Sequence, residues 1–269
     1  MSTTCDGAPA PPDAASAPGL AAARCAVLLG YGDTALILGQ RLAEWCGHGP
    51  VLEEDVALAN IALDLLGQAR LLLAHAGALE GRGRDADQLA FLRLEREYLN
   101  PTLAELPNVD FGHTALRLLL FGAFHVALWS AVQHGRDPQL ATIAAKSLKE
   151  ARYHRNHGAD WTVRLGDGTA QSHDRMQRAL DALWPYCSEL FTASPAEQRL
   201  AAAGAGVDPA QLRPAWEADV LPVLAESNLR VPPPTPFRAS GKRGIHSEHM
   251  GHLLAELQYL QRAFPGCRW

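Results

Sequence analysis

Glutamate and histidine are the side chains here best suited to hold a metal pair, and their spacing decides whether they can. Helical bundles that bind two irons take a Glu from each of two helices and a Glu-x-x-His pair from each of two more, because side chains three apart on a helix converge. None of the 14 Glu residues has His three positions later. The nearest pattern, Asp110 to His113, falls at a predicted helix start rather than mid-helix. The sequence therefore does not encode a self-contained di-iron centre.

Polar residues nonetheless recur at helical spacing: Asp33, Gln40 and Glu44 in one stretch, Asn60, Asp64 and Gln68 in a second, Glu150 and His154 in a third. Either they form the wet outer face of each helix, or they meet in the bundle interior. His154 extends the apolar line Leu140, Ile143, Ser147 and Ala151, which predicts burial, with Glu150 one turn earlier placed to hold its ring.

A second candidate lies near the C-terminus, where His246, Glu248, His249 and His252 put four metal-capable side chains within seven residues. Zinc accepts imidazole and carboxylate, which would make an independent metal-dependent enzyme the alternative function. Capping and packing around a helix start is the preferred reading, since His246 precedes the helix and no Cys is near. Arg238, Lys242 and Arg243 sit among small residues, as an exposed loop or as a phosphate contact made through charge and backbone N–H groups. No G-x-S-x-G elbow, P-loop or G-x-G-x-x-G is present, so nucleophilic and nucleotide chemistry lack a local signature.

The elements that must position these residues are read from proline and glycine. Proline is excluded from helix interiors, and the Pro-free windows 19–49, 51–100, 108–137 and 139–184 are rich in Leu and Ala without strand-like alternation. Glycines divide the second and fourth windows into helices near 52–76, 85–99, 140–165 and 170–191, and Asp110 can cap a helix over about 111–134. Shorter helices follow Pro195, then an extended run from Val231 to Pro236, then a helix from about 247 to 264. The predicted fold is all-α: an antiparallel four-helix bundle over about 24–191 with a C-terminal arm over about 196–269, in one domain from residue 23. Residues 1–22, rich in Ala, Pro, Ser and Gly, read as a disordered tail.

Composition excludes other classes. The 269 residues are 48% hydrophobic and 20% charged, enough for a large core, and the net charge of -5 gives no field to attract nucleic acid. The apolar stretch Ala115 to Val132 contains Arg117, His125 and Ser130, which reads as a core helix rather than a membrane span. Five scattered cysteines read as reduced thiols in the cytoplasm.

Longer strings carry a resemblance. The runs GDTALILGQRLAEWCGHGP from Gly32 and LEEDVALANIALDLLGQAR from Leu52 are similar to the C subunits of bacterial phenylacetyl-CoA epoxidases. So are AKSLKEARYH from Ala145, WTVRLGDG from Trp161, GIHSEH from Gly244 and LQYLQR from Leu257. The likeness covers most of 28–269. It implies a ferritin-like bundle acting as a structural subunit in a hetero-oligomer, beside a related A subunit that holds the di-iron centre and binds substrate. It also implies a small B subunit and a reductase with FAD, an iron–sulfur cluster and NADPH, which together epoxidise the aromatic ring with O₂ in phenylacetate catabolism. No cofactor is then expected on this chain.

Against the catalytic relative's Glu-Leu-Gly-His string stands Leu65, Leu66, Gly67 and Gln68, an aliphatic chain and an amide where iron needs a carboxylate and an imidazole. Glu150 persists, but Tyr153 stands three residues on, and Gly122 occupies the third-helix run where an acidic residue is expected. The resemblance thus predicts no catalytic residue and no metal ligand. It predicts a vestigial site in which Gln40, Asp64, Gln68, Glu150 and His154 form a hydrogen-bonded cluster around Leu65, with His125 as a further contributor.

Overall fold

The computed structural model describes residues 18–267, which contain no named strand. In chain order the helices are α1 (Pro18–Ala43), α2 (Leu52–Glu80), α3 (Ala86–Phe91), α4 (Thr102–Glu105), α5 (Phe111–Val132) and α6 (Pro138–Gly166). Then come α7 (Ala170–Leu183), α8 (Cys187–Leu190), α9 (Pro195–Ala202), α10 (Arg213–Glu226) and α11 (Glu248–Ala263). The all-α expectation holds. Two long hairpins, α1–α2 and α5–α6, pack into a four-helix bundle in which α2 lies antiparallel to α6.

Local chemistry sets the helix starts. Asp110 accepts the His113 N–H to open α5, and Asp137 accepts the N–H groups of Gln139 and Leu140 to open α6, with Pro138 in the first turn where its missing N–H is harmless. Thr169 with Ser172 and Ser194 with Glu197 form reciprocal caps on α7 and α9. Gly81, at φ 69°, adopts the left-handed conformation that ends α2.

The structure corrects four boundaries. Helix α1 begins at Pro18, so residues 18–22, expected in the tail, are helical, and 1–17 lie outside the described residues. Helix α2 passes through Gly77 instead of ending at 76. Gly77 is small because the returning Arg84 carbonyl lies against it. The helix expected over 85–99 breaks at Leu92, because Arg93 turns inward to the carboxylate of Asp33, which also accepts the Leu99 N–H at 2.9 Å. That pairing outweighs continued helix. The 170–191 helix divides where Trp184–Tyr186 form a 3₁₀ turn around Pro185.

The C-terminal segment packs onto the bundle. Helix α10 inserts Trp216, whose indole N–H donates to the Leu120 carbonyl at 2.8 Å beside Trp184 and Phe191. Helix α11 places Gln258 so that its amide donates to the Arg93 carbonyl and to the Tyr98 hydroxyl. Met250, Leu253 and Leu254 share the core that contains Leu28, Ile61, Leu119 and Leu148. Helices α1, α2 and α5 are each long and apolar enough to cross a bilayer. Here α5 is almost wholly sheathed by protein.

Candidate functional site

Along the α2–α6 seam, polar side chains meet in pairs whose positions run in opposite directions on the two antiparallel helices. Near the start of α2, Glu54 Oε2 lies 3.0 Å from His157 Nε2. Further on, Asp64 Oδ2 lies 3.0 Å from His154 Nε2. One turn beyond, the Gln68 amide donates to Glu150 Oε2 at 2.8 Å, and Lys146 Nζ stands 3.3 Å from the other oxygen. Near the far end, Asp137 receives Arg24 and His75, each at 2.8 Å. Burial works against the Asp137 carboxylate, but these hydrogen bonds outweigh it and hold the group at about 2.

Four members of the predicted cluster are thus brought together, in a pairing other than the expected one. His154 is held by Asp64 across the seam, not by Glu150 one turn away, because their side chains diverge to different α2 partners. Burial lowers the His154 pKa and Asp64 offsets this in part. Gln40 makes no hydrogen bond to any of the four among the described residues. Of the other polar residues in that stretch, Asp33 on α1 is fully buried, whereas Glu44, just past the end of α1, faces solvent and binds Arg41 and Asn108.

The centre of the bundle is closed. Leu65 is buried beside Leu38, Leu42, Phe121, His125 and His154, leaving a cavity of about 10 Å³. His125 sits among Phe121, Phe124 and Trp129, and burial lowers its pKa to about 3, so it is neutral at pH 7. At Gly122 an added Cβ would stand 2.6 Å from the Arg155 Cα and 2.7 Å from its N. At Gly158 it would press on Leu119 N and stand 2.8 Å from the Leu118 carbonyl carbon. Each glycine therefore lets the facing backbone sit where a side chain would otherwise be. Tyr153 points outward, half exposed. The donor set for a di-iron centre does not fit: Leu65 and Gln68 are not iron ligands, and position 122 has no room for a carboxylate at this helix spacing.

The C-terminal histidines do not converge. His246 points into the protein, with Nδ1 at 2.8 Å from Glu105 Oε2 and Nε2 at 2.9 Å from the Tyr98 carbonyl. Both ring nitrogens face acceptors, which the imidazolium satisfies. Burial opposes that charge, but the hydrogen bond and charge of Glu105, the Tyr98 carbonyl and the Glu95 charge together outweigh it, and the pKa is raised. Glu248 and His252 are exposed and His249 is half-buried in the first turns of α11, where the Ser247 hydroxyl accepts the His249 N–H. No three of His, Cys, Asp and Glu among the described residues are placed to share one metal.

The basic loop is likewise divided. Lys242 Nζ is committed to Glu197 at 2.7 Å and to the Thr192 carbonyl at 2.9 Å, and its own N–H is bound by the buried Glu189. The Lys242 charge is thus already paired within the protein, whichever of the two readings of the loop holds. Arg238 bonds to the nearby carbonyls of Thr235 and Phe237, and Arg243 is exposed.

The pairs Glu54–His157 and His75–Asp137 are not readable in the sequence, since each joins residues 62 or more positions apart. Glu54, Asp64, Gln68 and His75 do recur at helical spacing on α2, and that periodicity is the available signal.

Comparison with known proteins settles the lineage. A family model described as phenylacetic acid catabolic protein matches residues 4–269. The chain belongs to this family. Within it, the chain is similar to the C subunit of the 1,2-phenylacetyl-CoA epoxidase of Escherichia coli (strain K12), at 50% identity over 244 residues, covering 91% of this chain and 98% of that relative. For a phenylacetic acid catabolic protein, the closed bundle centre and the split polar seam are the features that any role must explain.

Proposed function

We propose that this chain is a non-catalytic, C-type subunit of a phenylacetyl-CoA epoxidase complex in the cytoplasm, stabilising the di-iron A subunit that carries the chemistry. In this reading a small B subunit and a reductase bearing FAD and an iron–sulfur cluster complete the complex, with electrons drawn from NADPH. The observation that carries it is the bundle centre, where Leu65, Gln68 and Gly122 stand in place of ligands and backbone fills the space at Gly122. A bundle whose centre lacks the donor set for a metal pair but keeps its helices tightly packed suits a scaffold. A pairing surface is available on the outer side of α2, where Leu52, Val56 and Leu63 are 76%, 52% and 65% exposed, with Tyr153 on the neighbouring α6. Burying this face against the A subunit supplies roughly 25 cal/mol per Å² before association costs.

The experiment is co-purification and turnover of the reconstituted complex. Asp64→Ala and Glu150→Ala are expected to leave epoxidation within about threefold of the parent, whereas Leu63→Glu strips the chain from the A subunit. Loss of turnover by Glu150→Ala in an intact, correctly folded complex would refute the non-catalytic role.

A further inference from the structure

In contrast to the filled bundle centre, two cavities of about 350 and 280 Å³ lie side by side between α1 and α9, both bounded by Val27, Tyr31 and Glu197. The larger is walled by apolar groups of α1, α8 and α9 and rimmed by Lys242 and Arg243. We propose that the larger cavity binds a small amphiphilic monoanion, an apolar body ending in a carboxylate. The inference is independent of the subunit role proposed above.

Three observations carry it. First, Tyr31 lines both cavities and its hydroxyl has no hydrogen-bond partner among the described residues, while its ring is fixed edge-on against Trp129 at 5.5 Å. An unpartnered hydroxyl beside an apolar space presents a donor to whatever enters. Second, the charge at the mouth is unbalanced. Glu197 and Lys242 neutralise one another at 2.7 Å, which leaves the Arg243 guanidinium without a carboxylate partner among the described residues. A ligand of one negative charge restores neutrality, and a cation is repelled. Third, the α9 wall is packed apart from the bundle core. Helix α9 holds α1 through a small separate cluster of Ala23, Val27 and Leu200, apart from the main core. Displacing it disturbs little of the packing that stabilises the bundle. The volume is that of a small-molecule site, not a packing defect.

The test is calorimetric titration of the full-length chain with octanoate, 1-octanol and octylamine. Octanoate is expected to bind at one site per chain, octanol at least about fivefold more weakly, and octylamine without saturation. Tyr31→Phe should weaken octanoate about tenfold or more, the contribution of one hydrogen bond to a charged acceptor. Ala26→Phe, which fills the cavity from α1, should abolish binding with the helical circular dichroism unchanged. Should that variant misfold, Arg243→Gln at the exposed rim serves instead, weakening octanoate about threefold and leaving octanol unaltered. No saturable octanoate binding up to millimolar concentration overturns the proposal. So does equal binding of all three probes, or octanoate affinity unchanged in both Tyr31→Phe and Arg243→Gln.

Discussion

Replacing Gly122 with alanine puts two opposing effects in competition, and the structure says which wins. Alanine gains about 1 kcal/mol over glycine inside a helix, through lower conformational entropy in the unfolded chain. Against that, the new Cβ would stand 2.6 Å from the Arg155 Cα, and an ordinary contact begins at 3.4 Å, so α5 and α6 must part by about 0.8 Å. The obstacle is backbone, which cannot rotate aside. A gap of that size forfeits a quarter to a half of the dispersion energy of the atoms it separates, and overpacking of this kind costs about 1–3 kcal/mol. Loss matches or exceeds gain, and the net expectation is destabilisation by up to about 2 kcal/mol, a melting point lower by up to about 6 °C for a chain of this size. Gly67→Ala is the control, because its added Cβ meets nothing within 4 Å and should raise stability by up to about 1 kcal/mol. Thermal and urea unfolding followed by circular dichroism measure both. A Gly122→Ala protein as stable as Gly67→Ala would refute the argument that backbone contact closes the centre.

Other consequences follow from named groups. The raised pKa of His246 means its contribution to stability is complete below the ordinary histidine value and fades as pH rises through its higher folded value. His125, held neutral to about 3, acts oppositely: the unfolded chain takes up a proton below about 6.5 that the folded chain refuses, so stability falls with acidification. Melting curves from pH 4 to 9 should therefore show His246→Asn removing the alkaline loss, and the His125 ring resonances should stay unshifted down to pH 5. Arg93→Met strands the fully buried Asp33 and should cost about 3–5 kcal/mol, part of which Asp33→Asn restores in the double variant, measured by a double-mutant cycle in urea. Leu65→Glu with Gln68→His should not create an iron site in the isolated chain, and the buried Glu should lower the melting temperature; stoichiometric iron in that variant would contradict the steric argument at Gly122.

The long bundle helices are legible in the sequence because proline punctuation and Leu/Ala content act locally. Their boundaries are not, wherever a distant partner decides them. Nothing near Arg93 announces that Asp33, sixty positions earlier, will draw it inward and end a helix at Leu92. Nor does Gly77 differ locally from Gly81, though one accommodates the Arg84 carbonyl and the other ends the helix. The polar positions on α2 and α6 are visible as periodicity, but their pairing is not. Glu150 and His154 are one turn apart and look like partners until the register of α2 assigns them to Gln68 and Asp64. The charge cluster near the C-terminus misleads for the same reason: the carboxylates that claim Lys242 and His246 are Glu197 and Glu105.

Native mass spectrometry of this chain co-expressed with the A subunit proposed as its partner, in iron-replete cells, tests the scaffold claim most directly. The expected spectrum shows a hetero-oligomer which, on gas-phase dissociation, leaves two irons on the A chain and none on this one. Iron retained by this chain, or a metal-loaded homo-oligomer formed without a partner, would contradict it.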